Sequence, residues 1–383
     1  MVQRLGQTDE AERLAGIVNE IAQKVLAMRP GDLRAMKNRF NSADMLAQVA
    51  WDRHDLDKAE ANYEKALASA GSYVQFNPAD SEGWRSLASG GASLGDTLRE
   101  QGRMSAALKK YRETTALVQD QRNRSGMDLT FIFARSGGMI LSAQMQQQPA
   151  AGENMTEIRK MVETWIKDRN IDREQAQLVT MNVSMAEFDV LAAEGKYARL
   201  HDRAVEILAQ LDKVKLSKEI DPEFRDNLRR RARTWQAESA VRLGRVEEAL
   251  EVARQNVNEP IFGRLDKLSQ LEMMARARVR LGRALLLAGN RAEALGPLVE
   301  AEAFYREKQV RGAKEVSFHL NFASALYHLA RAQADDETGR NRRRDLLDEA
   351  LSVLGGLSFE AQQLVTSKEI LDWVTKARRE VGA

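Results

Sequence analysis

The sequence predicts an all-α chain of stacked helix pairs, an α-solenoid. Three observations predict it: a helix-forming composition, a scarcity of helix breakers, and one turn that recurs along the chain. The 383 residues include only 6 prolines, and Ala, Leu, Glu, Arg and Gln, the residues that cost least in a helix, dominate. Hydrophobic residues make up 43% of the chain, enough to build a large core and to exclude wholesale disorder. With no cysteine, disulfides, thiolate chemistry and cysteine-ligated zinc are excluded. The compartment stays open between the cytoplasm and a periplasmic domain of a membrane-anchored protein.

The recurrent turn ends one apolar helix, often at Gly, and opens a second helix with Ala near its start. It is seen in Arg53-His54-Asp55-Leu56-Asp57-Lys58-Ala59, where His54 takes the Gly place, and in Gln101-Gly102-Arg103-Met104-Ser105-Ala106-Ala107. It returns at Glu194-Gly195-Lys196-Tyr197, at Leu243-Gly244-Arg245 before Ala249, and at Ala288-Gly289-Asn290 before Ala294. The turns at 54, 102, 195, 244 and 289 are spaced by 48, 93, 49 and 45 residues. A spacing near 47 places a hidden turn near Pro149, another in Asp335–Gly339 and a first at Gly6. Each unit then holds two amphipathic helices, neither of which can bury its stripe alone, so that stacking neighbours supplies the core. Connections between units carry breakers at Pro30-Gly31, Pro78, Asp221-Pro222 and Glu259-Pro260, and Asp32 and Asp80 are expected N-caps.

In order, residues 8–28 read as a second helix of a pair, with Ala11, Ala15 and Val18 inward. With its first helix missing, it reads either as a capping helix or as the start of a fragment of a longer protein, and the expectation is the fragment. Residues 1–150 form a well-patterned first half. Residues 151–195 form a degenerate, methionine-rich middle, expected to be a hinge whose methionines fill an irregular core. Residues 196–366 form a second half, and 367–383 a capping helix with Leu371, Trp373 and Val374 on or near its apolar side.

At these residues the chain resembles the tetratricopeptide repeat family. That family packs a small residue in the middle of a helix A against a helix B marked by Ala, an aromatic and a second Ala. The best matches are Leu46 and Ala47 with Ala59, Tyr63 and Ala66; Leu94 and Gly95 with Ala107 and Tyr111; Ala237 with Ala249 and Ala253; and Leu281 and Gly282 with Ala294 and Leu298. The unit after Gly195 departs from the pattern with Leu200 where Ala is expected. The period exceeds the family's usual length, which implies elongated helices. The resemblance implies a right-handed superhelix of about seven to eight antiparallel helix pairs, a concave groove lined by helices A, and a protein or peptide partner lying there.

Carried onto this sequence, the groove is expected to be lined by Asp44, Gln48, Trp51 and Asp52; by Asp96, Arg99 and Glu100; by Met185 and Asp189; by Arg231, Glu238 and Arg242; by Arg276, Arg283 and Leu287; and by Leu320, Tyr327 and His328. Residues 1–100 hold 12 basic and 15 acidic side chains, whereas 225–283 hold 14 and 8. Such a bias orients a charged partner by complementarity. The Lys, Asn and Arg that clamp a terminal carboxylate in the family's chaperone-binding members are missing, since those places show Asp44, Gln48, Ala92 and Asp96.

No catalytic, cofactor or metal constellation is expected. His54, His201, His319 and His328 show no ligand spacing, and nine residues on one helix put His319 and His328 half a turn apart. Ser89-Gly90-Gly91 and Ser136-Gly137-Gly138 lack the Lys-Ser/Thr of a phosphate loop and read as close helix packing. The basic runs Arg229-Arg230-Arg231 with Arg233, and Arg342-Arg343-Arg344, point around a helix and read as solvated surface. With a net charge of +2, nucleic acid is not an expected partner, and no apolar run is long enough for membrane insertion. The functional expectation is a non-catalytic scaffold, sensor or adaptor part of a larger bacterial signalling protein. The alternative is a ligand- or signalling-peptide-sensing domain controlling an attached effector.

Overall fold

The structure, a computed structural model, describes residues 8–125, 129–149, 154–169, 173–214, 222–259 and 267–382. All regular elements among them are helices. They are α1 (Thr8–Met28), α2 (Leu33–Asp52), α3 (Leu56–Phe76), α4 (Ser81–Glu100), α5 (Met104–Ser125), α6 (Leu129–Gln144) and α7 (Met155–Arg169). There follow α8 (Arg173–Ala193), α9 (Tyr197–Leu211), α10 (Pro222–Arg242), α11 (Val246–Asn258), α12 (Lys267–Leu287) and α13 (Arg291–Val310). The last are α14 (Val316–Ala332), α15 (Glu337–Gly355), the short α16 (Phe359–Gln362) and α17 (Val365–Gly382).

The turns fall where the spacing places them. His54, Gly102, Gly195, Gly244 and Gly289 all have positive φ, between 63° and 81°, the conformation that lets a helix stop and the chain reverse at once. The turn expected near Pro149 falls at Gln146 (φ 53°). The one expected around Asp335 lies between α14 and α15, where the Gly339 N–H of the first turn of α15 donates to the Asp336 carboxylate at 2.7 Å. Gly6 lies outside the described residues, as do Met127, Asp221 and Pro260. Asp32 and Asp80 do cap α2 and α4, accepting from Ala35 N and Glu82 N. Pro297 lies inside α13 and forgoes one intrahelical bond there.

The helices group into two compact units, Met1–Ser142 with Gln148–Ile171, and Ala143–Gln147 with Asp172–Ala383. In the first, α1 to α5 pack in sequential order and α2 also touches α4. In the second, α8 to α15 pack sequentially, and the even-numbered helices touch each other: α8 with α10, α10 with α12, α12 with α14. The chain is thus an α-solenoid in each unit, with successive helices A in contact within it. At the end of the second unit α17 packs on both α14 and α15, in the place of the next helix A.

Each layer is stitched by side chains one repeat apart. Arg103 reaches Glu60 at 2.7 Å, Arg245 reaches His201 at 3.1 Å, and Arg291 reaches Asp335 at 2.6 Å, while Arg53 pairs with Asp9 and Glu12. Apart from the contact to the buried His201, these exposed pairs contribute little individually; burial holds the fold. Phe40 and Ala43 of α2, Ala66, Ala70 and Val74 of α3 and Leu87 of α4 form one core. Leu178, Met181, Met185 and Phe188 of α8 with Leu200, Ala204, Ile207 and Leu211 of α9 form another, so Leu200 fills space that Ala leaves elsewhere.

The basic runs are corrected in part. Arg230 is buried and donates to the Asn256 and Glu259 carbonyls at 3.0 and 3.2 Å, closing the C-terminal end of α11. Arg343 likewise holds the Gln333 and Ala334 carbonyls after α14. Both tie loops together rather than face solvent alone.

Candidate functional site

Each unit gathers polar side chains on its layer of helices A. In the first, Gln48, Trp51 and Asp52 of α2 and Ser93 and Asp96 of α4 line an open cleft of about 450 Å³, with Tyr63 of α3 at its floor. Their spacings of three and four residues bring them to one helix face. Asp44 lies at its edge, accepting from the Gln48 amide at 2.6 Å, and its burial pushes its carboxyl pKa up. The Tyr63 hydroxyl is also pushed up, first by burial and then by the carboxylates of Asp44, Asp96 and Asp52. Two carboxylates, Asp52 and Asp96, therefore line the cleft beside an indole, a lining suited to a cation. Asp96 accepts from the Tyr111 hydroxyl at 2.6 Å and pairs with Arg99 at 3.2 Å. Arg99 also reaches Glu100, whose side chain is buried, so Arg99 and Glu100 brace the cleft from within the layer.

In the second unit the expected residues separate. Met185 is fully buried in the core of α8 and α9, so as a groove residue it is corrected: it packs inward because methionine fills the space beneath Phe188 and Leu200. Asp189 is half-buried, and Arg231 is exposed and donates to Asn182 at 3.3 Å. Leu287 is exposed and Leu320 half-buried. Glu238, Arg242, Arg276, Arg283, Tyr327 and His328 come together, but as an interlocked network. Glu238 Oε1 accepts from Arg242 Nε at 3.0 Å and from Arg283 at 2.7 Å. The pairing outweighs the cost of burial and holds the Glu238 pKa down to about 2. Arg276 pairs with Glu272 at 2.5 Å, which Lys308 also holds at 2.9 Å.

The terminal helix completes this network. Glu369 of α17 grips Arg242 with both carboxylate oxygens, one at 2.8 Å. The Trp373 ring stacks on Tyr327 at 5.8 Å, with the Arg242 and Arg283 guanidiniums 4.9 and 5.1 Å from its centroid. Arg242 and Arg283 are thus occupied by the chain's own helix. His328 is 2% exposed and held neutral by burial, reinforced by Arg283 and Arg331. Next to these groups, Arg276, Arg280 and Arg283 of α12, Tyr305 of α13, and Asn321, Ser324 and His328 of α14 line an open cavity of about 370 Å³ with Glu238 and Val279. Sequence reasoning missed Arg280, Tyr305, Asn321, Ser324, Glu369 and Trp373. Arg280 alone carried a signal: it falls on the face of Arg276 and Arg283, four residues after one and three before the other. Among the described residues no group of three or more His, Asp or Glu is arranged to hold a metal, and no helix is long and apolar enough to cross a membrane.

The geometry defines the class, an α-solenoid of tandem helix pairs with a polar inner layer in each unit. Solved structures similar to the chain include a tetratricopeptide repeat protein from Parabacteroides merdae, 13% identical, with 88% of this chain and 98% of that one covered and a TM-score of 0.38. They also include yeast Tom70, 11% identical, with 96% and 91% covered and a TM-score of 0.18. No protein-family model matches the chain, and no curated protein matches it.

Proposed function

We propose that the chain is a non-catalytic scaffold that docks a protein or peptide on its helices A, as the adaptor or sensor part of a larger bacterial signalling protein. The observation that carries this reading is the first unit's cleft, where residues of successive helices A converge on one opening of about 450 Å³. Asp52 and Asp96 set its charge and Trp51 offers an aromatic face, so the fitting partner is a basic segment presenting Lys or Arg. In the second unit α17 already covers Arg242 and Arg283. Of the expected groove residues there, Arg231 and Asp189 are left outside that covering.

The test is fluorescence anisotropy with labelled peptide libraries of basic, neutral and acidic composition. Basic peptides are expected to bind best, Asp52→Lys to weaken them at least tenfold, and Trp51→Ala to weaken them less. Equal binding of acidic and basic peptides, or indifference to Asp52→Lys in a folded protein, rejects the assignment. The second reading, a ligand-sensing domain that controls an attached effector, draws on the cavity beside α12 and α14. A ligand-dependent change in the scattering radius would favour it.

A further inference from the structure

We propose that the cavity between α12 and α14 binds a small phosphate group, either inorganic phosphate or the phosphoryl end of a small metabolite. This goes beyond peptide docking and does not depend on it, because the two sites lie in different units and use different residues.

The cavity is built for an oxyanion and holds an excess of positive charge. Arg276, Arg280 and Arg283 project from one face of α12 into it. Glu272 answers Arg276, and Glu238 answers Arg283. Arg280 makes no salt bridge of its own: its hydrogen bond is to the Arg276 carbonyl at 3.3 Å, and its buried Nε has no partner. Burial disfavours its charge, Glu238 favours it without direct contact, and the guanidiniums of Arg276 and Arg283 oppose it again. Glu238 is already bonded to Arg242 and Arg283, so one carboxylate serves three arginines, and an added anion relieves the remaining desolvation cost. A second group points the same way. His328 is 98% buried by its 2% exposure, it lines the cavity, and its Nδ1 has no hydrogen-bond partner.

The chemistry of the lining selects phosphate among oxyanions. Arg280, Asn321, Ser324 and His328 offer more donors than the two oxygens of a carboxylate accept with good geometry, whereas three phosphate oxygens match them. The wall also contains one ionised carboxylate. Glu238 Oε1 takes both arginine bonds, and no hydrogen bond falls on Oε2. An ionised carboxylate accepts only. Sulfate and acetate carry no proton at neutral pH and are repelled by Glu238. A phosphate group has a second ionisation near pH 6 when esterified, so it keeps a P–OH on only part of its population at neutral pH and on more of it as pH falls, and that hydroxyl donates to Glu238. The carboxylate thus turns a general anion pocket into one for a protonated oxyanion.

The test is isothermal titration of the full chain with inorganic phosphate, glycerol phosphate, sulfate and acetate, with the fold of every variant checked by circular dichroism. Phosphate or glycerol phosphate is expected to bind at or below the millimolar range, with sulfate and acetate at least tenfold weaker. The tighter of the two phosphates identifies the source. Arg280→Gln is expected to weaken binding at least tenfold, and Ser324→Ala, which removes one donor with little change of shape, by a smaller factor. No binding of either phosphate, equal binding of sulfate, or unchanged affinity in folded Arg280→Gln overturns the proposal.

Discussion

Replacing Gly95 by Ala tests how the layers are held at their closest approach. A Cβ built at Gly95 of α4 would lie 2.5 Å from Cε1 and 2.7 Å from Cδ1 of Tyr111, about 1 Å inside normal carbon contact. Tyr111 is 1% exposed and has nowhere to retreat. A Cβ at Gly137 of α6 would meet the same ring at 2.7 Å, so the ring lies between two glycine backbones, and its hydroxyl is tied to Asp96. Overpacking costs about 1–3 kcal/mol, and a ring held from both sides belongs at the upper end. Alanine returns about 1 kcal/mol of helix propensity, leaving a net loss of about 2 kcal/mol. Urea denaturation followed by circular dichroism measures it. Gly71→Ala, where nothing lies within 4 Å of the new methyl, is the control and should gain about 0.5–1 kcal/mol. Pairing Gly95→Ala with Tyr111→Leu should recover part of the loss, giving a coupling of about 1 kcal/mol. If Gly95→Ala unfolds at the same urea concentration as the parent while Gly71→Ala is stabilised, the reasoning is refuted.

Three further outcomes are expected. His54 occupies a left-handed turn position, φ 63°, that costs a side-chain-bearing residue about 1–2 kcal/mol. His54→Gly should therefore raise stability by about 0.5–1 kcal/mol in thermal melts, after the flexibility of Gly is discounted. Trp373→Ala removes the stack on Tyr327 and two guanidinium contacts; at about 1 kcal/mol each it should destabilise by roughly 2–3 kcal/mol. Limited proteolysis should then cut first near the start of α17, and cleavage no faster than in the parent would disprove the link. Burial lowers the pKa of both His319 and His328. The unfolded chain then takes up these protons first as pH falls below about 6.5. Stability is full above that pH and declines as pH drops towards the folded values. His328→Gln should flatten the fall in melting temperature between pH 7 and 5. The charged groups facing His328 are Arg242, Arg283, Arg331 and Glu238, and Glu238, held down to about 2, stays ionised throughout that window. An unchanged slope would place the proton uptake elsewhere.

The repeat was legible because its cause is local. A helix must stop, and the chain must turn, at each period, so His54, Gly102, Gly195, Gly244 and Gly289 announce themselves in one dimension. The small and large partners across helices, Gly95 with Tyr111 and Gly282 with Leu298, are likewise visible, since a Cβ at Gly282 would stand 2.4 Å from Leu298. The first unit's cleft follows from the same register: Gln48, Trp51, Asp52 and Asp96 were placed by counting back from the turns, and helical geometry brings them to one opening. The middle was less legible because Gln146 adopts the left-handed conformation without being Gly or Asn.

What the sequence alone determined is therefore the helix order, the period and the face each helix turns to its neighbour, all consequences of residues within about one repeat of each other. What only the tertiary structure decided is which charges remain available. Glu369 reaches Arg242 across 127 residues, Trp373 shields two arginines, Met185 turns inward, and Arg280 is left beside His328 sharing Glu238 with two other arginines. Neutralisation depends on distances of a few ångströms between side chains far apart in the chain. Periodicity specifies the direction of a side chain, and has no information about whether an opposite charge from a distant helix has already arrived there.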